Sequence, residues 1–132
     1  MGYTPKEYWG LSDATLVILC YSYDSIHSFE TMETMWIPAV EEAESKPVSI
    51  LVGTKADLYD PSSPSCVKEE DAEELGKKYG LKDVLRCSAK LFGITNQMKG
   101  NVDQVFKSAV KHALIHRGLF NTSKSQCHCT LA

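Results

Sequence analysis

The sequence lacks any apolar run near the roughly 20 residues that a membrane-spanning helix requires, and its first residues have neither a basic start nor an apolar signal core. A cytosolic protein is the expectation. It also lacks a long basic stretch: 14 Lys and Arg stand against 17 Asp and Glu, so nucleic acid is not the expected partner. Cysteine is sparse and odd in number. Of the five, Cys20, Cys66 and Cys87 lie far apart, which suits a reducing compartment and not a disulfide framework. Cys20 and Cys87 fall in apolar runs and are expected to be small core residues. Gly2 does not begin a myristoylation pattern, because Lys6 stands where Ser or Thr is needed.

What is present is a chain of 132 residues, 43% hydrophobic, enough for one domain with a modest core. "ATLVILCY", Ala14 to Tyr21, and "VSILVG", Val48 to Gly53, are continuous apolar runs of strand length, as expected for strands covered on both faces. Between them Phe29, Met32, Trp36 and Val40 keep the spacing of one helix face, with Pro38 as the expected kink. "KEEDAEELGKKYG" has acids first, lysines last and Gly80 as a stop. It reads as a helix with Ala72, Leu75 and Tyr79 inward. "DVLRC", Asp83 to Cys87, is a third, shorter strand. A last helix begins near Asn101, with Val102, Val105, Phe106, Ala109, Ala113 and Leu114 as its apolar positions.

Strands that each lead into a helix imply right-handed crossovers and a parallel sheet, whose ligands sit at the carboxyl ends of the strands. Two polar clusters fall at such ends: "TKAD" after the second strand and "CSAK" after the third. A carboxylate at Asp57 can accept two hydrogen bonds at once, from a ring N–H and the exocyclic amine beside it, a pair that guanine offers and adenine does not. The stem of Lys55 can lie along a planar base, and Thr54 can brace the loop. In the second cluster the amide of Ala89 can donate to the base carbonyl, Ser88 can fix the turn and Lys90 can cover the other face. "TKAD" alone is equally a polar turn, but its pairing with "CSAK" favours one shared ligand.

At these residues the chain resembles the Ras superfamily of small GTPases and, within it, the Rho family. "TKAD" resembles the family's base-specificity motif and "CSAK" its second guanine loop; Ser28, Phe29, Glu30, Trp36 and Pro38 match the Rho pattern on the intervening helix. The resemblance implies an α/β fold: a partial three-layer sandwich of the P-loop small-GTPase type with a mostly parallel sheet, over residues 1–120, its N-terminal strands missing. It also implies a guanine-nucleotide switch with GTP/GDP as ligand, and exchange factors, activating proteins and effectors as partners. The family's phosphate loop, G-x-x-x-x-G-K-[ST], its switch threonine and its Asp-x-x-Gly segment have no counterpart in the sequence. The Mg2+ expected for the family therefore has no ligands here, no catalytic residue is assigned, and the alternative is a shortened, non-catalytic interaction module. In the family the missing first strand lies beside the one that "ATLVILCY" forms, so an exposed apolar edge is expected. Two departures are local: "YDPSSPSCV" is too short for the Rho insert helix, and "LFGITNQMKGN" is longer than the usual connection. An unrelated flavodoxin-like or receiver-like sheet accounts for neither the paired loops nor the tail.

That tail, residues 121–132, ends in "CTLA", the C-a-a-X form whose terminal alanine favours a farnesyl group on Cys129. Cys127 is the candidate for a second, acyl anchor, since one chain holds a membrane only reversibly. The expected location is the cytoplasmic face of a membrane. "CHC" as a zinc site lacks four ligands at workable spacing.

Overall fold

The computed structural model describes residues 10–91 and 101–119. Its sheet has three parallel strands in the order β1-β2-β3: β1 Leu16–Ser22, β2 Val48–Thr54 and β3 Val84–Arg86. Register runs from Leu16 opposite Val48 to Ser22 opposite Thr54, then from Leu51 opposite Val84 to Gly53 opposite Arg86. The helices follow as expected, with α1 Ile26–Thr31 and α2 Ile37–Glu42 after β1, α3 Glu69–Lys78 after β2, and α4 Val102–His116 after β3.

The segment around Pro38 keeps its helical path by widening. A π-helical turn, Met32–Trp36, joins α1 to α2, and the amide of Ile37 donates to the carbonyl of Met32. Pro38, with no N–H, then falls in the first turn of α2, where no donor is needed. The expected kink is thus a π-turn just before the proline. At α3 the acids Glu69, Glu70 and Asp71 occupy the first turn and Lys77 and Lys78 the last, each opposing the dipole's partial charge.

Strand periodicity sorts the core into two layers. Leu19, Tyr21 and Leu51 face α1, α2 and α3, packing with Met32, Ile37, Val40, Val67, Ala72 and Leu75. Ile50 and Val52 face α4, where Val105 and Ala109 meet them. Ile50, Leu51 and Val52 are at most 1% exposed, so each contributes about 1.5 to 3 kcal/mol of apolar burial.

Two expected core positions lie outside it. Cys20 is exposed: on the α4 face of β1, Leu16 and Ile18 pack against the cluster that holds Val105 and Ala109, and Cys20 lies beyond them toward the strand's carboxyl end. Phe106 is 60% exposed: it stands one residue on from Val105, about 100° further round the helix, past the edge of the sheet. Among the described residues β1 pairs only with β2. Residues 59–67 form turns without a helix, whereas most of "LFGITNQMKGN" lies outside the described residues.

Candidate functional site

The two polar clusters meet at the carboxyl end of β2. The chain leaves that strand through Gly53, whose amide plane is backed by the rings of Tyr21 and Tyr23. These rings are 2% and 3% exposed and pack edge to face at 5.4 Å. Thr54 ties the exit to the neighbouring strand: its hydroxyl donates to the carbonyl of Tyr21 at 2.9 Å, and its carbonyl accepts from the amide of Tyr23 at 3.0 Å. The brace thus runs across strands and not within the loop.

Lys55 then adopts a left-handed backbone, φ 54° and ψ 42°, which turns the chain into a short 3-10 turn, Ala56–Leu58. An L-residue holds this conformation at a cost of about 1 kcal/mol, so the surroundings must impose it. They do so on both sides. The amide of Leu58 donates to the carbonyl of Lys55 at 2.9 Å, and that of Ala56 donates to the carbonyl of Cys87 at 3.0 Å. The second bond stitches the first loop directly to the other.

The link between the clusters is closed by side chains. Ser88, 1% exposed, donates its hydroxyl to Oδ1 of Asp57 at 2.5 Å, while Asp57 itself is exposed. A carboxylate held through one oxygen keeps its remaining lone pairs directed outward, available to two further donors. The amide of Cys87 donates to the carbonyl of Gly53 at 2.8 Å, extending the β2–β3 ladder to the root of both loops. Burial pushes the Cys87 thiol up, so it is a packing group and not a nucleophile. Ala89 and Lys90 are exposed at the start of the next 3-10 turn, Ala89–Leu91.

Among the described residues Lys55 pairs with Asp24, its Nζ 4.0 Å from Oδ1. The Ser22 hydroxyl, and after it Lys55, hold the Asp24 carboxyl below its usual range. The pair is open to water and contributes little to stability, leaving the lysine stem free to lie along a ligand. A cavity of about 360 Å³ lies at the opposite end of the strands, against Leu19, Val48, Ser49 and Leu81, and shares no residue with the two loops.

Thr54, Lys55, Asp57, Ser88, Ala89 and Lys90 therefore stand on two loops joined by a backbone and a side-chain hydrogen bond. Cys127 and Cys129 lie outside the described residues. The support from Tyr21 and Tyr23 behind Gly53 was not read from the sequence. Its only signal there is a glycine ending an apolar strand opposite two tyrosines two residues apart.

The model of the Ras family matches residues 4–115. The chain belongs to the Ras family. Among its relatives is the Ras-like GTP-binding protein RhoL of Drosophila melanogaster, 34% identical over 110 residues, which are 83% of this chain and 53% of that protein. The GTP-binding protein RHO4 of Saccharomyces cerevisiae is 35% identical over 111 residues, 83% of this chain and 35% of the relative. RHO4 of Eremothecium gossypii is 34% identical over 103 residues, 77% of this chain and 37% of the relative. These relatives bear out the Rho likeness, and the chain spans about half or less of their length.

Proposed function

We propose that this chain is the guanine-base-binding portion of a Rho-type GTP/GDP switch. The observation that carries this reading is the Ser88–Asp57 hydrogen bond between the two loops, which leaves an exposed, oriented carboxylate beside Lys55, Ala89 and Lys90. Asp57 accepts from the guanine ring N–H and exocyclic amine, the Ala89 amide donates to the base carbonyl, and the stems of Lys55 and Lys90 cover the base. Hydrogen bonds to a charged group contribute roughly 1.5 to 3 kcal/mol each, so base contacts alone support micromolar to millimolar binding.

In the family the phosphates and Mg2+ supply the rest. Among the described residues no group of three or more His, Cys, Asp or Glu could hold an ion, and the sequence has no phosphate-loop Ser or Thr. On this reading the chain by itself is expected to hydrolyse GTP no faster than background, and its alternative role is that of an interaction module. Exchange factors, activating proteins and effectors are the partners proposed for the whole protein. Farnesylation at Cys129, with an acyl chain on Cys127, is proposed to hold it at the cytoplasmic face of a membrane.

The test is a titration of the chain with fluorescent GDP and fluorescent ATP, with and without Asp57→Asn. GDP is expected to bind at least tenfold more tightly, about 1.4 kcal/mol, and the variant to lose the difference. Equal binding of both nucleotides, or an unchanged preference in the variant, refutes the reading.

A further inference from the structure

A third loop reaches the candidate site, from the carboxyl end of β1. Ser22 stands opposite Thr54 in the parallel register, so the residues that follow it come beside Lys55. This loop is held from within. The Ser28 hydroxyl accepts from the Ser22 amide at 2.9 Å and donates to the Ser25 carbonyl at 2.7 Å, and the Ser25 hydroxyl caps α1 by accepting from the Ser28 amide at 3.2 Å. Tyr23 is fixed on both sides of its backbone, its amide donating to the Thr54 carbonyl and its carbonyl accepting from the Val67 amide, each at 3.0 Å. Asp24 follows Tyr23 on this braced stretch.

The Asp24 carboxylate is oriented as well as placed. Its Oδ1 accepts from the Ser22 hydroxyl, and the same oxygen lies 4.0 Å from Nζ of Lys55. Because β1 and β3 flank β2 on opposite sides, the pair draws the Lys55 stem across the end of β2 toward β1, away from the Ala89–Leu91 turn that follows β3. Both side chains are open to water, so the pair adds little to the stability of the fold.

On the guanine reading of the two loops, we propose that Asp24 is a positioning residue for the base: it holds the Lys55 ammonium so that the stem stays extended beside the ligand plane. A lysine stem is a flexible chain of four carbons and loses much of its freedom when a ring covers it. Where the ammonium is already held, part of that ordering precedes binding. Covering the stem also excludes water from the pair, and the attraction between charges 4.0 Å apart strengthens as the effective dielectric falls. The contribution of Asp24 therefore falls on affinity and not on melting. Discrimination between guanine and adenine stays with Asp57, which Ser88 holds from the other side.

The experiment is an NMR titration of the intact 132-residue chain with guanosine and with adenosine, nucleosides that bring no phosphate to compete for the Lys55 ammonium. Asp24→Asn keeps an acceptor for the Ser22 hydroxyl and removes only the charge. It is expected to weaken guanosine binding about 2- to 5-fold, the scale of one exposed ion pair, with melting and the preference for guanosine unchanged. Asp24→Glu is expected to recover most of the affinity. In about 1 M salt, where the screening length falls to about 3 Å, the parent and Asp24→Asn are expected to converge. In a Lys55→Gly background Asp24→Asn is expected to have no further effect, because the stem through which it acts is gone. Equal affinity of the parent and Asp24→Asn at low salt, a loss that persists at high salt, the same loss in the Lys55→Gly background, or no recovery with Asp24→Glu would each overturn the proposal and leave the guanine reading intact. Binding of neither nucleoside, or a preference that Asp57→Asn leaves unchanged, overturns that reading and the role of Asp24 with it.

Discussion

Gly53→Ala tests the support behind the candidate site. A Cβ built at Gly53 falls 2.5 Å from Cε2 of Tyr23, 2.7 Å from the Tyr21 hydroxyl oxygen and 2.8 Å from Cζ of Tyr21, all inside the closest approach real Cβ atoms show. Neither ring can swing aside cheaply. Tyr21 is held edge to face by Tyr23 at 5.4 Å and Phe29 at 5.1 Å, and Tyr23 by Tyr59 at 5.3 Å. Overpacking of this kind costs about 1 to 3 kcal/mol, and displacing Tyr23 strains its amide's bond to Thr54, adding about 1 kcal/mol. A loss of roughly 2 to 4 kcal/mol follows, a large share of the 5 to 15 kcal/mol typical of a domain. Urea denaturation followed by circular dichroism measures it. Tyr21→Phe alone is the control: it removes a buried hydroxyl that has no partner in hydrogen-bond geometry among the described residues, and is expected to be neutral or stabilising. The double variant should recover only part of the loss, since the Tyr23 and Cζ contacts remain. If Gly53→Ala unfolds within about 0.5 kcal/mol of the parent, the tyrosines do not brace the loop and the reasoning fails.

Ser88→Ala is expected to cost about 1 kcal/mol of stability, because the lost bond goes to a carboxylate that water can resolvate, and to weaken GDP binding about 3- to 10-fold by freeing Asp57 to rotate; melting and titration read the two effects. Lys55→Gly is expected to leave stability within about 1 kcal/mol, as relief of the left-handed backbone offsets the added freedom of the unfolded chain, while GDP affinity falls with loss of the stem over the base. Burial, and after it Lys111 and Lys82, hold His112 below its ordinary value against the opposing pull of Asp83. Its unfolded form therefore takes up a proton first as pH drops. The His112 contribution to stability is present above about pH 6.5 and is lost as pH falls through the lower folded value, a slope that His112→Gln should flatten when denaturation midpoints are compared across that window.

The elements were legible because each has a local signature. β2 reads as a buried strand since both its faces are covered, and α3 since its charges oppose the dipole at each end. Cys20 and Phe106 misled for one reason: they sit in apolar patterns as regular as their neighbours', but exposure depends on where α4 lies over the sheet, which no local spacing encodes. The π-turn was legible only as a break at Pro38, because its form depends on carbonyls the proline leaves unbonded. At the candidate site the residue types were readable and their joint was not. The Ser88–Asp57 bond spans 31 positions and exists only because β2 and β3 are adjacent and in register.

That joint explains how an exposed turn holds a strained shape. A left-handed lysine and an outward carboxylate are unfavourable choices for a free loop, which would relax both. Here each is fixed from behind: the Cys87 carbonyl takes the Ala56 amide, and the buried Ser88 hydroxyl takes one oxygen of Asp57. The rigidity comes from the strand ladder through Gly53 and Cys87, so the ordering cost is met during folding and not on binding. On the proposed reading, a loop ordered in this way gains most from a flat, rigid ligand that presents two adjacent donors and one acceptor, as the edge of a guanine base does.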